Sequence, residues 1–195
     1  MKKFIPIIIL SIFLFLPRCA LAEELNYEQI YKNLPVVQND YINSEDPYEY
    51  DDYQKYFTSP YPLLRIWANL YFKNLTIREG YYLLTPREKD GQNVILFKQN
   101  GRIAFIIPVF EKKKINPALV YKEPPKPKTP WYKVPWKCFK AGMAHMFGLD
   151  KTPPKLPKSL IETSYVGGPY FEMDFYYDEY LYKAIFSTEK IQDNL

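Results

Sequence analysis

Asn100-Gly101 sits between two apolar runs, 94–98 and 103–107, and of all features in the chain it leaves the fewest ways to fold. Asn-Gly adopts the positive backbone angles of a type I′ turn at little cost, so the flanking runs are expected as the two arms of an antiparallel hairpin. One strand earlier, Asp90-Gly91 separates 81–85 from 94–98 in the same way. Three consecutive strands joined by tight turns make a meander. The last of them, Ile-Ala-Phe-Ile-Ile at 103–107, shows no polar alternation and predicts a strand covered on both faces. Pro108 has no N–H to donate, which puts the far end of that strand at a sheet edge.

Upstream, 63–72 reads two ways. Leu63, Ile66, Trp67 and Leu70 fit a helical stripe, whereas Leu64, Ile66, Ala68, Leu70 and Phe72 alternate as in a strand. The aromatic content, the asparagines and the sequel (75–77, then a turn at Glu79-Gly80) favour strand. The C-terminal part repeats the strand chemistry: 160–166, a Gly167-Gly168-Pro169 turn, 170–177, a turn at Asp178-Glu179, and 180–187. Phe171, Met173 and Phe175 alternate with Glu172, Asp174 and Tyr176, which predicts a strand with one wet face.

Helix signals are few. Asn26 can cap a helix whose Tyr27, Ile30, Tyr31 and Leu34 share a face until Pro35 stops it. From 38 to 56, tyrosines mix with Asp, Glu, Asn and Pro without a period, as in a loop that orders on docking or a disordered tail. Between 109 and 158 prolines and lysines dominate, and a central strand is excluded there. Within that arm Trp136, Phe139, Met143, Met146 and Phe147 recur at helical spacing, and Gly148 can end the helix.

The expected fold is mainly β (α+β): an antiparallel sheet or small open barrel of about six to seven strands, with two short helices and a long Pro/Lys-rich crossover arm. At 195 residues and 47% hydrophobic, the chain is sized for one globular domain, 59–195. Its parts are an acidic Tyr-rich segment (23–58), a β-meander (59–111), the arm (112–158) and a C-terminal hairpin region (159–195).

Residues 1–22 read as a cleaved signal peptide. Lys2 and Lys3 precede an apolar run that is shorter than a membrane span needs, and Ala20 and Ala22 occupy the small-residue positions of a signal-peptidase site. An uncleaved anchor is the weaker alternative, and lipid modification at Cys19 is disfavoured by Arg18. The short Lys-led leader has a bacterial form, and the expected location is the periplasm or the exterior. Cleavage would leave Cys138 as the only thiol, so no internal disulfide is expected.

Charge is strongly segregated. Residues 23–57 carry nine acids and two bases, whereas 112–158 carry twelve lysines and two acids. Blocks of opposite sign in one chain can dock on one another, and the arm is expected to do so, its Trp and Phe filling gaps in the core. The alternative is an anionic membrane surface, met by Trp131 and Trp136 amid Lys126, Lys128, Lys133, Lys137 and Lys140. Nucleic acid would suit the same residues, but export argues against that partner.

Catalytic signals are sparse. A single histidine excludes sites that need two, and the chain has no Gly-rich phosphate loop and no Cys-x-x-Cys. Cys138 and His145 lie seven apart on a predicted helix, about 10.5 Å of rise, which is too far for a dyad. The same helix would scatter Cys138, Met143, His145 and Met146 around its circumference, which argues against copper. Asp46 to Asp52 lacks the order of a calcium loop. Glu172 and Asp174, on one strand face at about 7 Å, are the best candidates for paired-acid chemistry. These features point to an exported, non-catalytic envelope or periplasmic binding or structural protein without a cofactor, whose partner is an unknown envelope component or protein. The alternatives are a small hydrolase using Glu172 and Asp174, and a peripheral membrane protein using the arm.

Overall fold

The computed structural model describes residues 25–56, 58–122, 130–146 and 155–191. Ala20 and Ala22 of the leader, and Lys126 and Lys128 of the arm, lie outside the described residues. Helix α1 (Tyr27–Asn33) begins where Asn26 Oδ1 accepts the Gln29 N–H at 3.0 Å, as its sequence predicts. A second helix, α2 (Glu49–Tyr56), occupies the stretch that shows no period in the sequence. Strands β1 (Leu63–Ile66), β2 (Leu70–Phe72) and β3 (Leu75–Ile77) follow, then the meander β4 (Gly80–Lys89), β5 (Gln92–Gln99) and β6 (Arg102–Pro108). The arm holds β7 (Glu111–Lys114), α3 (Pro117–Val120) and α4 (Val134–Met146); β8 (Ser159–Gly167), β9 (Tyr170–Tyr177) and β10 (Tyr180–Ser187) complete the chain.

The fold is mainly antiparallel β with short helices. Two sheets form, of order β1-β4-β5-β6 and β3-β2-β10-β9-β8, with β7 also on β10, and they do not close into a barrel. Both meander turns have positive φ at each central residue, 51° and 76° at Asp90-Gly91, 54° and 74° at Asn100-Gly101, the type I′ geometry that only such residues adopt readily. Pro108 ends β6, which is an edge strand.

Ten strands are present among the described residues, against the six to seven expected. The 63–72 segment is extended but breaks after Ile66, so that β1 joins the first sheet and β2 the second. Residues 111–114, expected as linker, pair with β10 instead. This edge position tolerates lysine because one side of the strand stays open to water.

Between the sheets lies the core, where Phe97 of β5 meets Phe186 of β10 with ring centroids 5.9 Å apart. On its other face the first sheet presents Val94, Leu96, Ile103 and Ile106, covered by Val37 and Tyr41 of the acidic segment. The two covered faces explain the unalternating run at 103–107. β5 and β6 pair Phe97 with Phe105 and Lys98 with Ile103, so Ala104 is an extra residue and Ile103 and Ile106 turn to the same face. Tyr31 of α1 is buried against Phe72 and Tyr170, and its hydroxyl accepts the Lys73 N–H at 2.6 Å, which fastens α1 to the second sheet.

Candidate functional site

The arm departs from and returns to one place. Tyr121, just after α3, donates its hydroxyl to the Lys158 carbonyl at 3.1 Å, and burial pushes its phenol up to about 12. Between these roots α4 and the single turn before it (Trp131–Lys133) stand exposed. Trp131 is 85% exposed, Trp136 60% and Met146 76%, and Tyr132, Val134 and Phe139 are exposed as well. The docked arm expected from the sequence is therefore corrected over 130–146: none of these side chains fills the core, because Phe97, Phe175 and Phe186 already do.

Helical spacing gathers Trp136, Phe139, Met143 and Met146 onto one stripe of α4. Trp136 and Phe139 stack at 5.7 Å, and Lys140 Nζ lies 5.5 Å from the Trp136 ring centroid, at the flank of the stripe. Lys133 sits similarly over Tyr132 at 5.7 Å. Neither lysine pairs with a carboxylate among the described residues. The side chain of Lys137 is not described. Cys138 is exposed on the same continuous helix as His145, so the two are separated by about two turns, as predicted from their spacing.

Glu172 and Asp174 lie in a different setting from the solvated face expected of them. Glu172 is only 5% exposed, because α1 packs across β10 and Tyr27 donates its hydroxyl to Glu172 Oε2 at 3.2 Å. Lys183, opposite Asp174 in the β9–β10 register, places its ammonium 2.5 Å from Glu172 Oε1 and 3.2 Å from Asp174 Oδ1. Desolvation raises the Asp174 carboxyl above its ordinary value, against the lowering effect of Lys183. The Lys183 ammonium is itself raised, since two carboxylates outweigh its desolvation. One cation shared by two acids is a cross-strand clamp, and it engages both carboxylates that paired-acid chemistry would need free.

A larger ionic cluster escaped the sequence reading. Asp46, 6% exposed, accepts from Arg87 Nη2 at 2.8 Å, from Arg87 Nε at 3.1 Å and from Lys98 Nζ at 3.0 Å. Asp52 takes Arg87 Nη2 at 2.6 Å and the Tyr61 hydroxyl at 2.5 Å. Burial opposes charge on Asp46, but Arg87 and Lys98 outweigh it and hold the carboxyl below its usual value. Burial and the hydrogen bond to Asp52 push the Tyr61 phenol far up. The acidic segment thus docks on basic residues of the meander. The available clue was Lys98, which continues the face of Val94 and Leu96 along β5 and so predicts a buried cation in need of an acid.

Among the described residues no group of three or more His, Cys, Asp or Glu side chains could hold a metal ion, and no helix is long and apolar enough to cross a membrane. No family model, curated protein or solved structure matches this chain.

Proposed function

We propose that this is an exported, non-catalytic envelope protein that attaches to anionic membrane surfaces through the Lys/Trp arm. The observation that carries the reading is the exposed Trp131, Trp136, Phe139 and Met146 beside Lys133 and Lys140. Indole rings favour the boundary between headgroups and acyl chains, while lysines reach anionic phosphate from the same level at about 1 kcal/mol each. Its apolar stripe is too short to span, so the arm would lie in the interface while the β sandwich stays outside. Hydrolysis by Glu172 and Asp174 has less support, since Lys183 binds both carboxylates. Export rests on the leader with Ala20 and Ala22.

Co-sedimentation with vesicles tests the attachment. Binding is expected with phosphatidylglycerol-containing vesicles, to weaken with salt, and to be absent with phosphatidylcholine alone. Trp131→Ala with Trp136→Ala removes apolar area worth about 1.5–3 kcal/mol, so affinity should fall roughly ten- to hundredfold with the fold intact. Equal binding to neutral vesicles, or no binding at low salt, would refute the proposal.

A further inference from the structure

An apolar slot lies where outer strands of the two sheets stay apart. β1 is an outer strand of the first sheet and β8 of the second, and the two do not pair. Between them opens a slot of about 270 Å³, floored by Phe97 and Phe186, walled by Leu64, Phe171 and Met173, and lipped by Thr163. Phe171 stacks on Phe186 at 5.5 Å, giving one flat aromatic side. A volume just below the roughly 300–1,000 Å³ of ordinary small-molecule pockets suits one slim apolar chain.

Arg65 also lines the slot and is itself exposed. Its guanidinium carbon lies 3.3 Å from the Trp67 ring centroid and 5.4 Å from that of Tyr81, and no carboxylate among the described residues pairs with it. Stacking occupies the faces of a guanidinium and leaves its N–H edge free, the edge that takes a carboxylate or phosphate through two parallel hydrogen bonds. The buried or half-buried cations Arg87, Lys98 and Lys183 already hold acids of the chain, whereas Arg65 is exposed.

The geometry points to a binding site for an amphiphile with one apolar chain and an anionic head, the chain in the slot and the head on Arg65. The chain enters where the Ile66-to-Leu70 crossover leaves the sheets apart, and the site is independent of the surface arm. Free fatty acids and single-chain lipids share this chemistry.

Calorimetric titration of the exported chain with monomeric laurate should show one saturable site, unchanged when Trp131 and Trp136 are both replaced by Ala. Arg65→Gln should weaken laurate roughly tenfold or more while dodecanol, with the same tail and no charge, binds as before. Ala68→Phe, at the exposed lip, should block both ligands without touching the core, with circular dichroism checking the fold. Lauroyl lysophosphatidylglycerol separates the sources: competition with laurate shows that a chain carrying a lipid headgroup fits, and failure to compete confines the site to free acids. Laurate binding that does not saturate, that survives either substitution unchanged, or that falls no more than dodecanol in Arg65→Gln overturns the assignment.

Discussion

Asp46→Ala is expected to cost about 3–5 kcal/mol of unfolding free energy, because it takes a shared carboxylate from the buried Lys98 and the half-buried Arg87 and does not merely remove a contact. Lys98 has a side chain 1% exposed, and its remaining acid, Glu49, lies 3.4 Å away on α2. Arg87 would keep Asp52 alone. The acidic segment should loosen first, uncovering Val94, Leu96, Ile103 and Ile106. The pH dependence follows from the lowered Asp46 carboxyl. A carboxyl whose folded value is depressed adds stability that is fully present above its unfolded value, about 3.9, and is lost as pH falls through the folded value. The parent chain should therefore lose stability below about pH 4 more steeply than Asp46→Ala, which lacks the group. Urea unfolding of both chains at pH 7 and pH 3 measures this. A variant within about 1 kcal/mol of the parent at pH 7 would show that the cluster does not hold the segment down.

Phe97→Ala is expected to cost a similar amount, about 3–5 kcal/mol, for a different reason. Phe97 is fully buried in the central part of the meander, meeting Tyr82 at 5.9 Å on its own sheet and Phe186 at 5.9 Å across the core. Truncation leaves a cavity that neither sheet can close, since β5 is held by β4 on one side and β6 on the other. Phe97→Leu should recover more than half of the loss by refilling most of the volume. Thermal or urea unfolding of the pair checks the order. Equal stability of Phe97→Ala and the parent would mean that the sheets do not meet through this ring.

The elements that could be read from the sequence are those whose causes are local. Asp90-Gly91 and Asn100-Gly101 carry their turn geometry in two residues, and Asn26 caps α1 within one helical turn. What could not be read is what depends on partners far along the chain. Asp46 meets Arg87 and Lys98 across 41 and 52 residues, so nothing near 38–56 announces that the segment is fixed, and α2 has no apolar stripe to mark it. Glu172 looked wet because its cover, Tyr27, is 145 residues away. The break after Ile66 was hidden for the same reason: both halves alternate correctly, and only their pairing with β4 and β10 puts them in different sheets. In the arm the residue types were legible and their placement was not. Trp136, Phe139 and Met143 form a helical stripe as predicted, but whether a stripe docks depends on space in a core that other segments had already filled.

Depth-resolved quenching tests the membrane attachment most directly. In a Trp67→Phe background the two remaining tryptophans are Trp131 and Trp136, both on the exposed arm. When the protein is bound to phosphatidylglycerol vesicles carrying brominated acyl chains, the account predicts strong quenching by bromine placed high on the chains and little by bromine near the bilayer centre, because an interfacial helix seats its rings about 5–10 Å into the boundary. Bound protein whose tryptophan emission is untouched by bromine at any depth would place the contact elsewhere on the molecule and contradict the account.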